Sequence, residues 1–543
     1  MSGPGVDELG ASVLDVRGLT VRAGDAVLVH DVAFTVARGE CVALVGASGS
    51  GKTVTARAVL GLSAAGTSVD AEVLRLAGQD VRGLSERQWR RLRGATVGYV
   101  GQEALGALDP LRPVGREVGD ALRLHTRMTA AERVDAVRTA LAAVDLDPDL
   151  AHDGRLAGTL SGGMRQRALI AAATVGAPDL VVADEPTTAL DAAVAVTVME
   201  QLRAAQRRGA GLLVITHDLG LVAGWADRVV VVDDGTVAEQ GPTSAVFAAP
   251  EHPVTQALVR AARADRSRDD AGDDAGDGAR DDLAATGGPT ILAGRGLSRS
   301  FAGVPAVQDV SLTVRPGRVL GVIGASGSGK TTVARMLLGL EEPDAGTVTL
   351  DGAPWVPLPE RDRRARRHRV AAVVQDPGAT FDERWTVERV LADALSDGRE
   401  RRARGALGGR VDEALRQVGL DPALRPRSPW TLSGGQRQRL AIARALATSP
   451  EVVVLDEPVT ALDATVQDAV LTLLERLRDE TGVAMVLVSH DLRAVRRTAD
   501  EVLVVHGGRV VEHGPAARVW AAPEHPETAR LLAAAARLAA GPS

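Results

Sequence analysis

Short, wholly apolar runs recur along the chain, each opening into a glycine-rich turn or an acidic pair. Cys41–Val45 and Val319–Ile323 are two such runs, and the stretches Val54–Leu62 and Thr332–Leu340 beyond them read as helices. Leu180–Ala183 and Val452–Leu455 are apolar at successive positions, the pattern of parallel strands buried on both faces. No run approaches the roughly 18–20 apolar residues needed to span a bilayer. The longest, such as Arg228–Val232 with its flanks, are strand-length. The pattern predicts an α/β fold.

A chain of 543 residues exceeds a single core and suits two domains of about 250 residues each. With 45% hydrophobic and 24% charged residues it reads as ordinary globular protein. The net charge of −7 argues against a nucleic-acid partner, and 2% aromatics weaken any base-stacking role. The amino terminus, MSGPGVDELG, is acidic and lacks the apolar core of a secretory signal. A cytoplasmic protein is expected unless something else holds it at a membrane. Cys41, the one cysteine, lies in an apolar run and reads as a buried structural thiol; it excludes an internal disulfide and a cysteine-cluster metal site.

Of 63 basic side chains, only Lys52 and Lys330 are lysine. A lysine that survives such a bias marks a place where a compact ammonium is needed and a broad guanidinium does not fit. Both stand in one octapeptide frame. Gly46-Ala47-Ser48-Gly49-Ser50-Gly51-Lys52-Thr53 returns as Gly324-Ala325-Ser326-Gly327-Ser328-Gly329-Lys330-Thr331. This is the phosphate-binding loop G-x-x-x-x-G-K-T. Its glycines let backbone N–H groups turn toward an anion, lysine reaches the β- and γ-phosphates, and the threonine hydroxyl binds Mg²⁺. The strand before each loop and the helix after it aim a positive helix end at the phosphates.

Other segments repeat at a nearly constant offset. Leu160-Ser161-Gly162-Gly163 answers Leu432-Ser433-Gly434-Gly435, and Asp184-Glu185-Pro186 answers Asp456-Glu457-Pro458. Ala189-Leu190-Asp191 matches Ala461-Leu462-Asp463, His217-Asp218 matches His490-Asp491, and Gln102 answers Gln375. A whole domain is duplicated. The ordered set resembles the ATP-binding-cassette family, and the resemblance covers nearly the whole chain. It implies two P-loop ATPase domains, 1–261 and 290–543, each with a parallel core sheet, an antiparallel β part and a helical insert. The inserts are expected near Glu103–Val175 and Asp376–Thr448. Residues 262–289, acidic and glycine-rich, read as a flexible tether.

Asp184 and Asp456, at the carboxyl ends of their strands, are expected to hold Mg²⁺ with Thr53 and Thr331. Glu185 and Glu457 are expected to polarise the attacking water. The resemblance gives His217 and His490 contacts to the γ-phosphate, and gives Gln102 and Gln375 a role in sensing metal and γ-phosphate and in signalling to membrane partners. It also places Ser161, Gly162 and Gly163 over ATP held by Lys330, and Ser433, Gly434 and Gly435 over ATP held by Lys52. Intramolecular pairing of the two halves follows from their fusion. Phe301, 29 residues before Lys330, is the expected adenine-stacking ring; Ala23 holds the equivalent place before Lys52.

Among cassette proteins, the frame Gln375-Asp376-Pro377 and the endings Pro250-Glu251-His252-Pro253 and Pro523-Glu524-His525-Pro526 are similar to the ATPases of dipeptide, oligopeptide and nickel importers. Glu383 stands where that branch has proline, and the tyrosine of its tail motif is replaced in both copies. The resemblance implies two permease subunits, an extracytoplasmic solute-binding protein, and a peripheral place on the cytoplasmic face of a membrane. A soluble tandem cassette acting on ribosomes and an exporter ATPase remain the alternatives. The arginine run Arg361–Arg369 reads as a solvated helix face.

Overall fold

The computed structural model describes residues 12–47, 49–101, 107–187, 190–270, 289–460 and 462–540. The chain divides into two compact units, one made chiefly of Met1–Arg266 and the other chiefly of Ser267–Leu462 and Val466–Ala535.

Among the described residues of the first unit, the core sheet has six strands in the order Thr236–Pro242, Arg228–Asp233, Cys41–Val45, Gly211–Thr216, Leu180–Asp184, Val97–Val100. All neighbours pair parallel except the first two. Cys41–Val45, Leu180–Asp184 and Gly211–Thr216 are buried at every residue, which explains why their sequence is apolar without alternation. An antiparallel sheet packs beside them, with Ser12–Ala23 paired to Ala26–Ala37, Thr67–Asp70 and Val73–Leu76. Val42, Leu44, Val182 and Leu213 share one core with Leu14, Leu19 and Phe34 of that sheet. On the other face, Val181, Ala183 and Val214 pack with Val118, Leu141 and Ile170 of the insert helices Val114–His125, Ala130–Ala143 and Gly162–Thr174.

The second unit repeats the plan. Its core sheet runs Arg509–Pro515, Glu501–His506, Val319–Ile323, Ala484–Val488, Val452–Asp456, Val370–Val373. Leu292–Phe301, Val304–Val314, Ala345–Leu350 and Ala353–Val356 form the antiparallel sheet. Val387–Leu395, Ala406–Gln417 and Gly434–Leu446 are the insert helices.

Three boundaries differ from the sequence reading. The helices after the two loops are Lys52–Val59 and Lys330–Leu337, so each begins inside the loop motif, capped by Gly51 or Gly329, and ends earlier than its apolar pattern. The helix Pro253–Asp270 runs into the segment read as tether from residue 262; residues 271–288 of that segment lie outside the described residues. The arginine run is only in part a solvated face: Arg361 and Arg364 are exposed, but others of the run are not. Arg363 is buried and donates to Gly339 O at 2.9 Å, and Arg367 donates to Leu338 O at 3.1 Å. Both cap the carbonyl end of the helix Lys330–Leu337. In the first unit Arg93 does the same work, donating to Leu60 O at 3.0 Å and Gly61 O at 2.6 Å.

Candidate functional site

Each loop sits between a central strand and a helix start, where the chain order reverses across the sheet and α/β proteins place their ligands. Backbone crowding dictates glycine at its first position. A Cβ on Gly46 would stand 2.1 Å from Val232 O, and one on Gly324 would stand 2.1 Å from Val505 O. Lys52 Nζ donates to Gly46 O at 2.8 Å and Ala47 O at 2.7 Å; Lys330 Nζ donates to Gly324 O at 2.8 Å and Ala325 O at 2.9 Å. Both ammonium groups therefore lie folded over their own loops. Burial lowers the Lys52 pKa, and the charge of Glu185 opposes that effect.

The parallel strands deliver the carboxylates to the same place. Thr53 Oγ1 donates to Asp184 Oδ1 at 3.2 Å, and Thr331 Oγ1 to Asp456 Oδ1 at 3.3 Å. Burial raises the pKa of both aspartates, and the neighbouring glutamate raises each further. Glu185 and Glu457 follow with φ of 52° and 54°, left-handed values that cost a non-glycine residue of order 1–3 kcal/mol. Their backbone N–H groups are tied to Ile215 O at 2.8 Å and Val488 O at 2.9 Å. The twist turns each carboxylate toward a histidine: His217 Nδ1 stands 2.8 Å from Glu185 Oε1, and His490 Nδ1 stands 2.8 Å from Glu457 Oε2. Burial opposes the charged imidazole, but the glutamate's hydrogen bond and charge outweigh it, so both histidines titrate above their ordinary value. Glu457 is held below its ordinary value: burial works the other way, and the His490 and Thr460 hydrogen bonds prevail.

Lysine, threonine, aspartate, glutamate and histidine thus gather in each unit. Ser161 and Ser433 head the helices Gly162–Thr174 and Gly434–Leu446, each hydroxyl accepting from the backbone N–H of residue 164 or 436, at 3.3 and 3.2 Å. Gly162, Gly163, Gly434 and Gly435 form the first turns. Gln436 completes a capping box by accepting from Ser433 N at 3.0 Å, which Met164 has no oxygen to do. Gln375 is exposed, two residues beyond the strand Val370–Val373. Phe301 ends its strand 45% exposed, with the Arg299 guanidinium 5.2 Å from its ring centre, and Ala23 ends the equivalent strand. Ser48, Gln102, Ala189 and Ala461 lie outside the described residues.

Sequence reading passed over Thr460, whose hydroxyl donates to Glu457 Oε2 at 2.8 Å.

The ABC transporter family model matches residues 29–188 and again residues 307–460. This chain belongs to the ABC transporter family. Tandem ABC proteins of similar length are similar to it nearly end to end. It is 38% identical to the "Peptidoglycan transport ATP-binding protein YejF" of Agrobacterium fabrum, over 96% of each chain. It is 37% identical to the "Glutathione import ATP-binding protein GsiA" of Salmonella choleraesuis, over 98% of this chain and 91% of that one. The same identity links it to the GsiA protein of Pectobacterium atrosepticum, over 96% and 89%. Like other ABC cassettes it binds and hydrolyses ATP.

Proposed function

We propose that this ABC protein is the ATP-hydrolysing subunit of an importer of peptides or related small solutes. The observation that carries the reading is likeness to import and transport ATP-binding proteins over almost the full tandem length. No helix among the described residues is long and apolar enough to cross a membrane. The reading accordingly assigns the solute path to two separate permease subunits, with an extracytoplasmic solute-binding protein, and places this chain peripherally on the cytoplasmic face.

Mg²⁺ fits the residues present. Asp184 Oδ2 is buried with no hydrogen-bond partner, beside the Thr53 hydroxyl that touches Oδ1. Among the described residues no three His, Cys, Asp or Glu side chains cluster, which suits an ion bound through one carboxylate, a hydroxyl and substrate phosphates. Thr53 with Asp184, and Thr331 with Asp456, would hold it, and Gln102 and Gln375 would complete its shell. Once bound, it neutralises charge on the phosphates. Lys52 and Lys330 leave their loop carbonyls for phosphate oxygens. Glu185 and Glu457 orient the water, while His217 and His490 fix those carboxylates and reach the γ-phosphate.

Reconstitution with candidate permease subunits in proteoliposomes tests this. Hydrolysis should rise when solute-loaded binding protein is added inside the vesicles' extracytoplasmic compartment. Stimulation by ribosomes, with none by the permeases, would establish the alternative instead.

A further inference from the structure

The glutamate of the second site is held chiefly by one of its two oxygens. The strand Val452–Asp456 runs into a four-residue turn, Glu457-Pro458-Val459-Thr460, in which Thr460 N donates to Glu457 O at 3.4 Å. Proline suits the second place of such a turn because its ring presets φ. Closing the turn brings Thr460 back to the glutamate's side chain. The Thr460 hydroxyl donates to Oε2 at 2.8 Å, the same oxygen that stands 2.8 Å from His490 Nδ1. The Ser489 hydroxyl, 3.5 Å away, adds a long third contact to Oε2. Among the described residues Oε1 accepts one hydrogen bond, from His490 N at 3.2 Å. A carboxylate offers about two acceptor directions per oxygen, so Oε2 is filled and Oε1 keeps one open. Thr460 is β-branched, which restricts its hydroxyl to few staggered positions. In the first unit the sequence puts Thr188 at the matching place, outside the described residues.

We propose that Thr460 is a positioning residue of the second site: together with His490 it occupies Oε2 of Glu457, so that Oε1 is the oxygen that accepts from the attacking water. The last torsion of a glutamate side chain is broad and roughly two-fold, and either oxygen of an unheld carboxylate could face the water. Two short contacts to Oε2 remove that freedom before the nucleotide arrives. An acceptor already aimed contributes to the rate through orientation. Turnover therefore draws on the Thr460 hydroxyl, whereas ATP binding does not. The inference rests on the reading above that Glu457 orients the water.

The experiment uses the full chain with its first site intact. Thr460→Val keeps the shape and the β-branch but removes the donor, while Thr460→Ser keeps the donor. Loss of one hydrogen bond amounts to about threefold to tenfold at its own site. The kcat of Thr460→Val should fall about 1.5-fold if the two sites turn over independently, and up to about tenfold if they are coupled. KM, the affinity for a non-hydrolysable ATP analogue and the thermal melting midpoint should stay as in the parent. Thr460→Ser should recover most of the loss. Adding Thr460→Val to Glu457→Gln should cost nothing further, because the hydroxyl then has no carboxylate to aim. A Thr460→Val chain that turns over like its parent would overturn the inference, as would a Thr460→Ser chain that is equally slow. So would a further loss in the double variant, or a fall in kcat accompanied by a higher KM or a lower melting midpoint, the mark of a packing role. A Glu457→Gln chain that hydrolyses ATP at the parent rate would instead remove the functional reading beneath the inference.

Discussion

The guanidinium of Arg363 lies 5.5 Å from the ring centre of Trp355, and both side chains serve the last carbonyls of one helix. Trp355 Nε1 donates to Leu337 O at 3.0 Å while Arg363 donates to Gly339 O. Gly339 has φ of 68°, and a Cβ there would fall 1.6 Å from the arginine. The helix so closed begins with Lys330, so the pair fixes the far end of the element that presents the second phosphate loop.

Arg363→Ala should cost the second cassette about 1–3 kcal/mol, since a buried, charge-assisted hydrogen bond and a cation–π contact vanish together. Arg93→Ala should do the same to the first, where Arg93 stands 5.4 Å from the Trp89 ring centre. Urea unfolding followed by tryptophan fluorescence gives the measurement. A midpoint unchanged in both variants would show that water replaces the guanidinium without loss.

Changing both Glu185 and Glu457 to Gln should leave ATP binding intact and abolish turnover. The amide keeps the size and a hydrogen bond to the histidine but loses the charge that orients water. Single-turnover assays with radiolabelled ATP decide the matter; hydrolysis near the wild-type rate removes these residues from the catalytic role. Lys52→Ala and Lys330→Ala should each weaken phosphate binding at one site only.

Adenine should be discriminated less sharply at the first site than at the second. Phe301 offers an exposed ring at its hairpin end, and Ala23 offers none. An aromatic contact contributes roughly 0.5–1.5 kcal/mol, or about threefold to tenfold in affinity. ATP and GTP titrations of Lys330→Ala and Lys52→Ala separate the two sites. Equal preference at both, or Phe301→Ala without effect, would sink this expectation.

Cys41 should resist thiol reagents at pH 8 and label stoichiometrically once the first unit unfolds. It is 2% exposed, and burial, assisted by the nearby Asp227 charge, pushes its thiol up to about 12 from about 9. The folded state therefore holds the proton that the unfolded chain releases. Its contribution to stability is complete below about pH 9 and is lost as pH rises toward 12. Cys41→Ala should flatten that alkaline slope in thermal melts; an identical slope would assign it to other groups.

Much of this architecture was legible because buried parallel strands leave uninterrupted apolar runs. Cys41–Val45 and Val319–Ile323 stand where the sequence placed them, with the loops directly after them. Glycine and proline punctuation does not reveal long-range polar contacts, which explains why Arg363 and Arg367 were read as solvated with the rest of their run. Nothing local separates an arginine facing water from one capping a helix 24 residues earlier in the chain. The left-handed φ of Glu185 and Glu457 was equally hidden, because tertiary hydrogen bonds impose it against the residue's own preference.

The survival of lysine at just two positions turns the chain into its own footprinting reagent. A protease that cuts only after lysine has two targets, Lys52 and Lys330, and would divide the unfolded chain into residues 1–52, 53–330 and 331–543. Both targets are 7% exposed and lie at the first helical residue beyond the loop, so cleavage requires that loop to open locally. Each band on a gel then reports one nucleotide site without any introduced label. Nucleotide that occupies the first site should suppress the 1–52 fragment independently of the 331–543 fragment, making occupancy at the two sites separately countable in a cell extract.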